Sequence, residues 1–418
     1  MSTDATKRTE GAEPLSSGEE TGECDRVMLA AVIALTGFGL VMLYSASAVT
    51  AAEQFGDPLA LVRSQAAKIG VGLVVLVGAM SVDYRWYRRL VYPMLGGTIL
   101  MLGAVLVPGI GTVQNGARRW IDLGMFTVQP AEAAKVVAVV FLAYSVAKKG
   151  EKMHEFTIGF IPHLVVVGAM VGLLILQPDF GTSVILVTMM GVMLFVSGAR
   201  LVYLSGFGIL GLVAAYYAVV SSPYRMERIT AFLEPWEHRR DVGYQISESL
   251  IAIGSGGLTG RGLGEGTGKL GYVPELSNDF IATLVGEELG LMGFVLLAGL
   301  FAVFIWRGCR IALAARDRFG TYLAFGLTTL IGIQAAGNLC VVTGLVPTKG
   351  LTLPFFSLGG SSLVMGLFAV GVLLNISRRE PDWWELNRDE REKRRRQKDW
   401  EKRRERILKR RDDLEARA

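Results

Sequence analysis

The sequence predicts an all-α polytopic membrane protein of about ten transmembrane helices. Three observations carry that expectation. Hydrophobic residues make up 51% of the chain and charged residues 19%, too little polar surface to cover a soluble core of this size. Apolar runs of span length recur along most of the chain. The charges collect in residues 1–26, in the connecting loops and in residues 378–418.

A helix needs about 20 largely apolar residues to cross the hydrocarbon layer. Val27–Val49, Ala66–Val82, Val91–Val107, Pro130–Ala147 and Gly159–Leu176 meet that requirement. Gly181–Gly198, Leu201–Val220, Phe280–Trp306, Phe319–Leu345 and Leu353–Ile376 supply the rest. Gln177-Pro178-Asp179-Phe180 reads as a tight turn between two spans, and residues 221–279 as a large outer loop between spans seven and eight. Basic residues fall in the loops after spans two, four, six and eight, such as Arg85, Lys148, Arg200 and Arg310. This asymmetry places both termini in the cytoplasm.

Three domains follow: a disordered N-terminal tail over 1–26, a membrane domain over 27–377, and a charged C-terminal tail over 378–418. The first tail lacks the apolar stretch of a signal peptide. Trp383, Trp384 and Trp400 in the second suit a helix resting on the membrane surface or a docking segment for cytoplasmic partners.

Several chemistries are excluded. The net charge of +5 reports orientation and contact with anionic lipid, not nucleic acid. Three cysteines and three histidines are scattered without a CxxC pair, which argues against a zinc site or disulfide framework. The glycine-rich run Gly254–Gly264 is no nucleotide loop: Leu263 stands where a Walker pattern needs glycine, and Leu270 where it needs Ser or Thr. Its glycines suit tight re-entrant turns and close backbone approach to a ligand headgroup.

Four polar clusters fall on the outer face in this topology: Gly116–Asp122, Gln177–Asp179, Tyr224–Asp279 and Pro347–Gly350. Within span four, Glu132 and Lys135 share a helix face, either as a structural ion pair or on a substrate path. Glu287 and Glu288 pose the same question in span eight. Asp279 sits at the first turn of that helix, where it is a cap or a carboxylate at a cavity mouth.

These clusters, in this order, resemble the SEDS family of cell-wall polymerases (FtsW, RodA and SpoVE). The resemblance runs from Tyr44-Ser45-Ala46-Ser47 to Asn375-Ile376-Ser377-Arg378. It is carried by Arg119-Trp120-Ile121, Gln129-Pro130-Ala131-Glu132, Gln177–Thr182, Gly243-Tyr244-Gln245, Ile253–Gly257, Pro274-Glu275, Asp279-Phe280 and Gly286–Gly290. Val346–Pro354 is most similar to the division branch, FtsW. Leu358 replaces the usual aromatic before the double glycine, and Ser277-Asn278 a common His-Thr pair.

The resemblance implies a peptidoglycan glycosyltransferase that polymerises lipid II into glycan strands at the outer face of the bacterial cytoplasmic membrane, at the division septum. A β-1,4 bond from an α-linked donor requires inversion by single displacement, hence a base near the acceptor hydroxyl and positive charge near the departing pyrophosphate. By resemblance Asp279 is the base. Arg118, Arg119, Lys135 and Lys349 are cations for the pyrophosphate, joined or replaced by a divalent cation, Mg or Mn. Trp120, Glu132, Asp179, Gln245, Glu275 and Glu288 complete the expected substrate-binding set. The implied partners are a class B penicillin-binding protein, other divisome membrane proteins, lipid II and the growing strand. Two other classes compete: a lipid II flippase using Glu132 and Lys135, and a non-catalytic division scaffold.

Overall fold

The structure, a computed structural model, describes residues 23–378 apart from residues 115, 123, 125, 126, 271 and 349, together with Trp400. Both tails and Lys349 therefore lie outside the described residues, except for the tail residues 23–26, 378 and 400.

The described residues form an all-α polytopic membrane protein. Its helices are α1 (Arg26–Phe55), α2 (Ala60–Ser81), α3 (Arg85–Leu106), α4 (Pro130–Lys149), α5 (Ile161–Leu176), α6 (Phe180–Val196) and α7 (Leu201–Val220). They continue with α8 (Pro223–Leu233), α9 (Tyr244–Gly256), α10 (Ile281–Glu288), α11 (Gly290–Ala314), α12 (Arg318–Val342) and α13 (Gly360–Ser377). Eight are long and apolar enough to cross a membrane: α1 to α4, α5 with the π-helical turn before it, and α11 to α13. Two more apolar stretches, Phe180–Val196 and Leu201–Val213, are shorter.

Local chemistry sets the helix ends. Asp25 accepts a bond from the Met28 amide at 2.9 Å to start α1, and Gly56 ends it in the left-handed conformation. Pro130 opens α4, where its missing N–H costs nothing; Glu132 lies in the first turn and Lys148 and Lys149 in the last, complementing the helix dipole. This helix occupies the middle of the bundle. Its most apolar stretch is 83% buried by protein, against 17% for α2. A helix shielded from lipid can carry an ion pair at membrane depth.

The structure corrects two sequence readings. The eighth span is not one helix from Phe280: α10 is only eight residues, ~12 Å long, and the chain turns at Leu289-Gly290 before α11 crosses alone. Gly290 has φ +63°, and a side chain there would strike the Gly260 backbone, so the break is built into the packing. The last span begins at Gly360, not Leu353, because residues 353–359 fold as a loop in which Phe355 holds a φ of +64°. Residues 221–279, the large loop of the sequence reading, contain α8 and α9, and α10 follows them.

A small antiparallel sheet was not foreseen. Strands β1 (Gly111–Gln114), β2 (Ala117–Asp122) and β3 (Thr127–Val128) pair in the order β1-β2-β3 between α3 and α4. The strands are too short, and β2 too charged, to display an alternating pattern.

Candidate functional site

At the sheet-bearing end of the bundle, the segment 350–362 meets Asp279, Ser277, Gly181 and the β3–α4 junction. A Cβ on Gly350 would stand 3.2 Å from Asp279 Oδ2. Leu351 packs beside Gly181 at the start of α6. The Leu358 amide donates to the Ser277 carbonyl at 2.9 Å. Ser361 accepts from the Gln129 amide at 3.0 Å and donates to the Thr127 carbonyl at 3.3 Å, tying the segment to the sheet and α4.

Asp279 stands two residues before α10 and keeps part of its surface exposed. It is not the helix cap; that position belongs to Phe280, which offers no side-chain acceptor. Its backbone carbonyl accepts from Asn338 Nδ2 on α12 at 2.7 Å, and the same nitrogen donates to the Leu351 carbonyl at 2.6 Å. Desolvation by the packed walls raises the Asp279 carboxyl to about 7; nearby Glu275 pushes the same way and Arg228 opposes both. Glu275 itself adopts φ +54° and accepts from Asn278 Nδ2 at 2.5 Å. Arg228, on α8, donates to the Thr348 carbonyl at 3.2 Å.

Lys135 is 3% and Glu132 7% exposed; Lys135 Nζ lies 2.9 Å from Glu132 Oε1 and 2.9 Å from Gln334 Oε1 on α12. A cavity of about 20 Å³ beside them, also lined by Pro354 and Ser362, has room for roughly one water molecule.

The sheet cluster is held differently. Arg119 donates from Nε to the Gln177 carbonyl at 3.1 Å and from Nη2 to the Pro178 carbonyl at 2.5 Å, locking β2 onto the α5–α6 turn. Arg118 reaches the Leu106 carbonyl at 3.4 Å, and its buried Nε has no partner among the described residues. Trp120 is half-buried on β2 and accepts from the Thr112 hydroxyl through its carbonyl. Asp179 caps α6, spending one oxygen on the Thr182 amide at 3.1 Å and the other on the Thr182 hydroxyl at 2.8 Å.

The glycine-rich run closes against α10. Side chains at Gly256 or Gly260 would collide with the backbone of Gly286 or Glu288, so these glycines permit close approach to α10. Glu287 and Glu288 are fully buried. Glu287 accepts from the Thr267 amide at 2.7 Å and the Gly268 amide at 3.1 Å; Glu288 accepts from Ser45 on α1 at 2.7 Å and the Gly266 amide at 3.2 Å. Gln245 donates to the Pro274 carbonyl at 3.3 Å, joining α9 to the approach to Asp279.

Asp279 and Glu275 therefore come together with Gly350, while Arg119 holds the α5–α6 turn that carries Asp179, and Glu288 sits at the far end of α10. Arg228 and Asn338 were not singled out from the sequence. Arg228 lay in a long loop with other arginines, and Asn338 inside an apolar span, where a single amide gives no signal until its partners are known. Among the described residues, no group of three or more His, Cys, Asp or Glu side chains is placed to hold a metal ion.

The family model FTSW_RODA_SPOVE, described as "Cell cycle protein", matches residues 25–381. The chain belongs to this family. Among FtsW/RodA/SpoVE relatives, the "Probable peptidoglycan glycosyltransferase FtsW" of Geobacter sp. (strain M18) is 44% identical over 355 residues, 85% of this chain and 97% of that protein. Stage V sporulation protein E of Bacillus subtilis (strain 168) is 43% identical, with 85% and 97% covered. Two solved structures share the fold. A chain from a structure described as "Structural coordination of polymerization and crosslinking by a peptidoglycan synthase complex" has a TM-score of 0.72 at 29% identity, covering 86% of this chain and 99% of its own. Thermus thermophilus RodA has a TM-score of 0.64 at 29% identity, covering 85% and 97%. Most of the similar curated proteins carry the FtsW name, in keeping with the resemblance of residues 346–354.

Proposed function

We propose that this protein is a peptidoglycan glycosyltransferase that joins lipid II into glycan strands during septal wall synthesis, with Asp279 as general base. Support comes from the names of its relatives, 44% and 43% identical, and above all from one observation: a partly exposed carboxyl raised to about 7 beside Gly350, free of any capping duty. A base titrating near working pH is both ionised often enough and basic enough to take a hydroxyl proton.

In the proposed reaction the Asp279 carboxylate accepts the proton of the acceptor 4-hydroxyl. That oxygen attacks the donor's anomeric carbon as the bond to the pyrophosphate oxygen breaks, inverting the centre. The lipid pyrophosphate leaves with the bonding pair. Arg228, Arg118, Arg119 and Lys349 supply positive charge on the leaving side. Asp179, Glu287 and Glu288 act indirectly, by fixing the α5–α6 turn and the glycine-rich loop. Gln245, Glu275 and Trp120 line the approach. Lys135 and Glu132 set the position of α12 and of segment 350–362 from below.

Ten crossings, with both ends in the cytoplasm and the Asp279 end outside, complete the reading in the bacterial cytoplasmic membrane. A class B penicillin-binding protein is the proposed crosslinking partner, in a divisome assembly. Translocation of lipid II has weaker support, since the cavity beside Lys135 fits a water molecule and not a sugar headgroup. The test is polymerisation of lipid II by purified full-length protein with and without the partner; strands form if the reading holds. Their absence in both samples, with folded protein, rejects it.

A further inference from the structure

The end of the bundle opposite the sheet carries a patch of cations that the proposed reaction does not use. There α3 begins and α4 ends, since the two helices pack side by side and run in opposite directions on either side of the sheet. Tyr92 of α3 meets Tyr144 of α4 edge to face, with ring centroids 5.8 Å apart. Lys148, one turn beyond Tyr144, donates to its hydroxyl at 3.3 Å. Arg88 stands one turn before Tyr92 on the same face of α3. Both cations are exposed, and neither has an acidic partner among the described residues. Beside them the Lys149 Nζ is buried without a partner among the described residues. Gly150 brings up a further charge, since a Cβ there would stand 3.1 Å from Arg318 Nη1 on α12. Past the tyrosines the same face of α3 continues through Gly96, Ile99 and Gly103. It is open: side chains built at either glycine would meet nothing within 4 Å, and Leu100 alongside is 74% exposed.

We propose that this patch binds the phosphate of an anionic phospholipid, with an acyl chain of that lipid lying along α3. Charge and shape each narrow the ligand. Cations gathered without a matching acid call for an anion, the buried Lys149 ammonium most of all. Arg88 and Lys148, each one turn from its tyrosine on neighbouring helices, form a fork that a phosphate can enter. The ligand also needs an apolar part. The open face from Tyr92 to Gly103 is ~16 Å long, about half of a ~30 Å hydrocarbon layer. A phospholipid in one leaflet meets both demands: its phosphate lies level with Arg88 and Lys148, and its chain reaches the bilayer centre. Tyrosine rings, apolar in body and polar at the tip, suit the boundary between the two. A soluble anion would leave the open face of α3 without an occupant. A zwitterionic lipid would bring its own cation to a patch already positive. On the proposed topology this is the inner leaflet. The site stands at the other end of the bundle from Asp279 and does not rest on the glycosyltransferase reading.

The probe is dioleoylphosphatidylglycerol, titrated onto delipidated full-length protein in a neutral detergent and counted by native mass spectrometry, with thermal melting of each variant as the folding control. Dioleoylphosphatidylcholine, inorganic phosphate and undecaprenyl phosphate are the competitors. Saturable binding of phosphatidylglycerol to wild type is expected, weakened about tenfold or more by the double variant Arg88→Gln, Lys148→Gln. Gly96→Leu fills the open face without removing a charge and is expected to weaken binding as well. The double variant Arg200→Gln, Arg310→Gln removes equal charge elsewhere at the same end and is expected to leave binding unchanged. An equal loss in both double variants overturns the site, because general surface charge then accounts for the attraction. No binding to wild type, or equal affinity for phosphatidylcholine, also overturns it. Displacement by inorganic phosphate assigns the patch to a free anion, and displacement at lower concentration by undecaprenyl phosphate assigns it to a polyprenyl carrier; either result overturns the phospholipid.

Discussion

Asn338, buried one turn from the end of α12, donates through a single side-chain nitrogen to the carbonyls of Asp279, at 2.7 Å, and Leu351, at 2.6 Å. It fastens the residue proposed to take the proton to the segment that also meets Gly181 and the β3–α4 junction. The two chain segments come from distant parts of the sequence, and neither is in regular structure at the contact. Without the amide, two partly buried carbonyls would lose a donor.

Replacing Asn338 by Leu is therefore expected to cost about 1–3 kcal/mol in stability and to lower polymerisation more than that loss accounts for. Comparing kcat with the melting temperature checks this. A variant that melts lower but polymerises at the wild-type rate would make Asn338 purely structural.

Asp279 should trade stability for function. Its folded carboxyl titrates at about 7 against an ordinary 3.8, so the folded state holds the proton more tightly than the unfolded one. Stability is then lost as pH rises from about 4 to about 7 and stays at its reduced level above. Asp279→Asn removes that penalty and is expected to be more stable at pH 8 by about 2 kcal/mol, allowing for solvent on its exposed side. Equal unfolding curves for the two proteins at pH 8 would contradict the burial argument.

The neighbours of Asp279 should move the acid limb of the pH–rate profile in opposite directions. Wild-type activity is expected to fall about tenfold per pH unit below about 7. Glu275→Gln removes a repelling charge and moves the limb to lower pH. Arg228→Ala removes an attracting one and moves it to higher pH. Measuring kcat/KM between pH 5.5 and 9 with both variants checks the signs.

Lys135 and Glu132 form a buried pair at 2.9 Å within α4. Lys135→Met leaves Glu132 charged and without its cation, at a cost of about 3–5 kcal/mol. The double variant Glu132→Gln, Lys135→Met is expected to recover much of that loss. Urea or thermal unfolding in detergent reads both, and a double variant no more stable than the single would show that the pair is not coupled.

Much of the fold was legible because a bilayer imposes a length and a polarity on each crossing. Val27–Val49 and Pro130–Ala147 lie inside α1 and α4 for that reason. The failures fall where backbone geometry overrides composition. Residues 281–306 are apolar apart from Thr283, Glu287 and Glu288, but Gly290 turns the chain where Gly260 presses against it. Leu353–Leu358 is apolar because it packs inside the bundle as a loop, which hydropathy cannot tell from a helix. At the site, Asp279, Glu132 and Lys135 stood out because charge near or within a span is rare. Arg228 and Asn338 became visible only through Thr348 and Leu351, more than ten residues away in sequence. Asp179 and Glu288 were conspicuous as acids, yet both hold backbone amides.

The most direct measurement is single-turnover polymerisation of lipid II by the purified protein with its transpeptidase partner, comparing wild type with Asp279→Asn at pH 7.5. A loss of about 10²–10⁴-fold in rate, in a variant that melts no lower than wild type, is the predicted result. An Asp279→Asn protein that builds strands at the wild-type rate would contradict it.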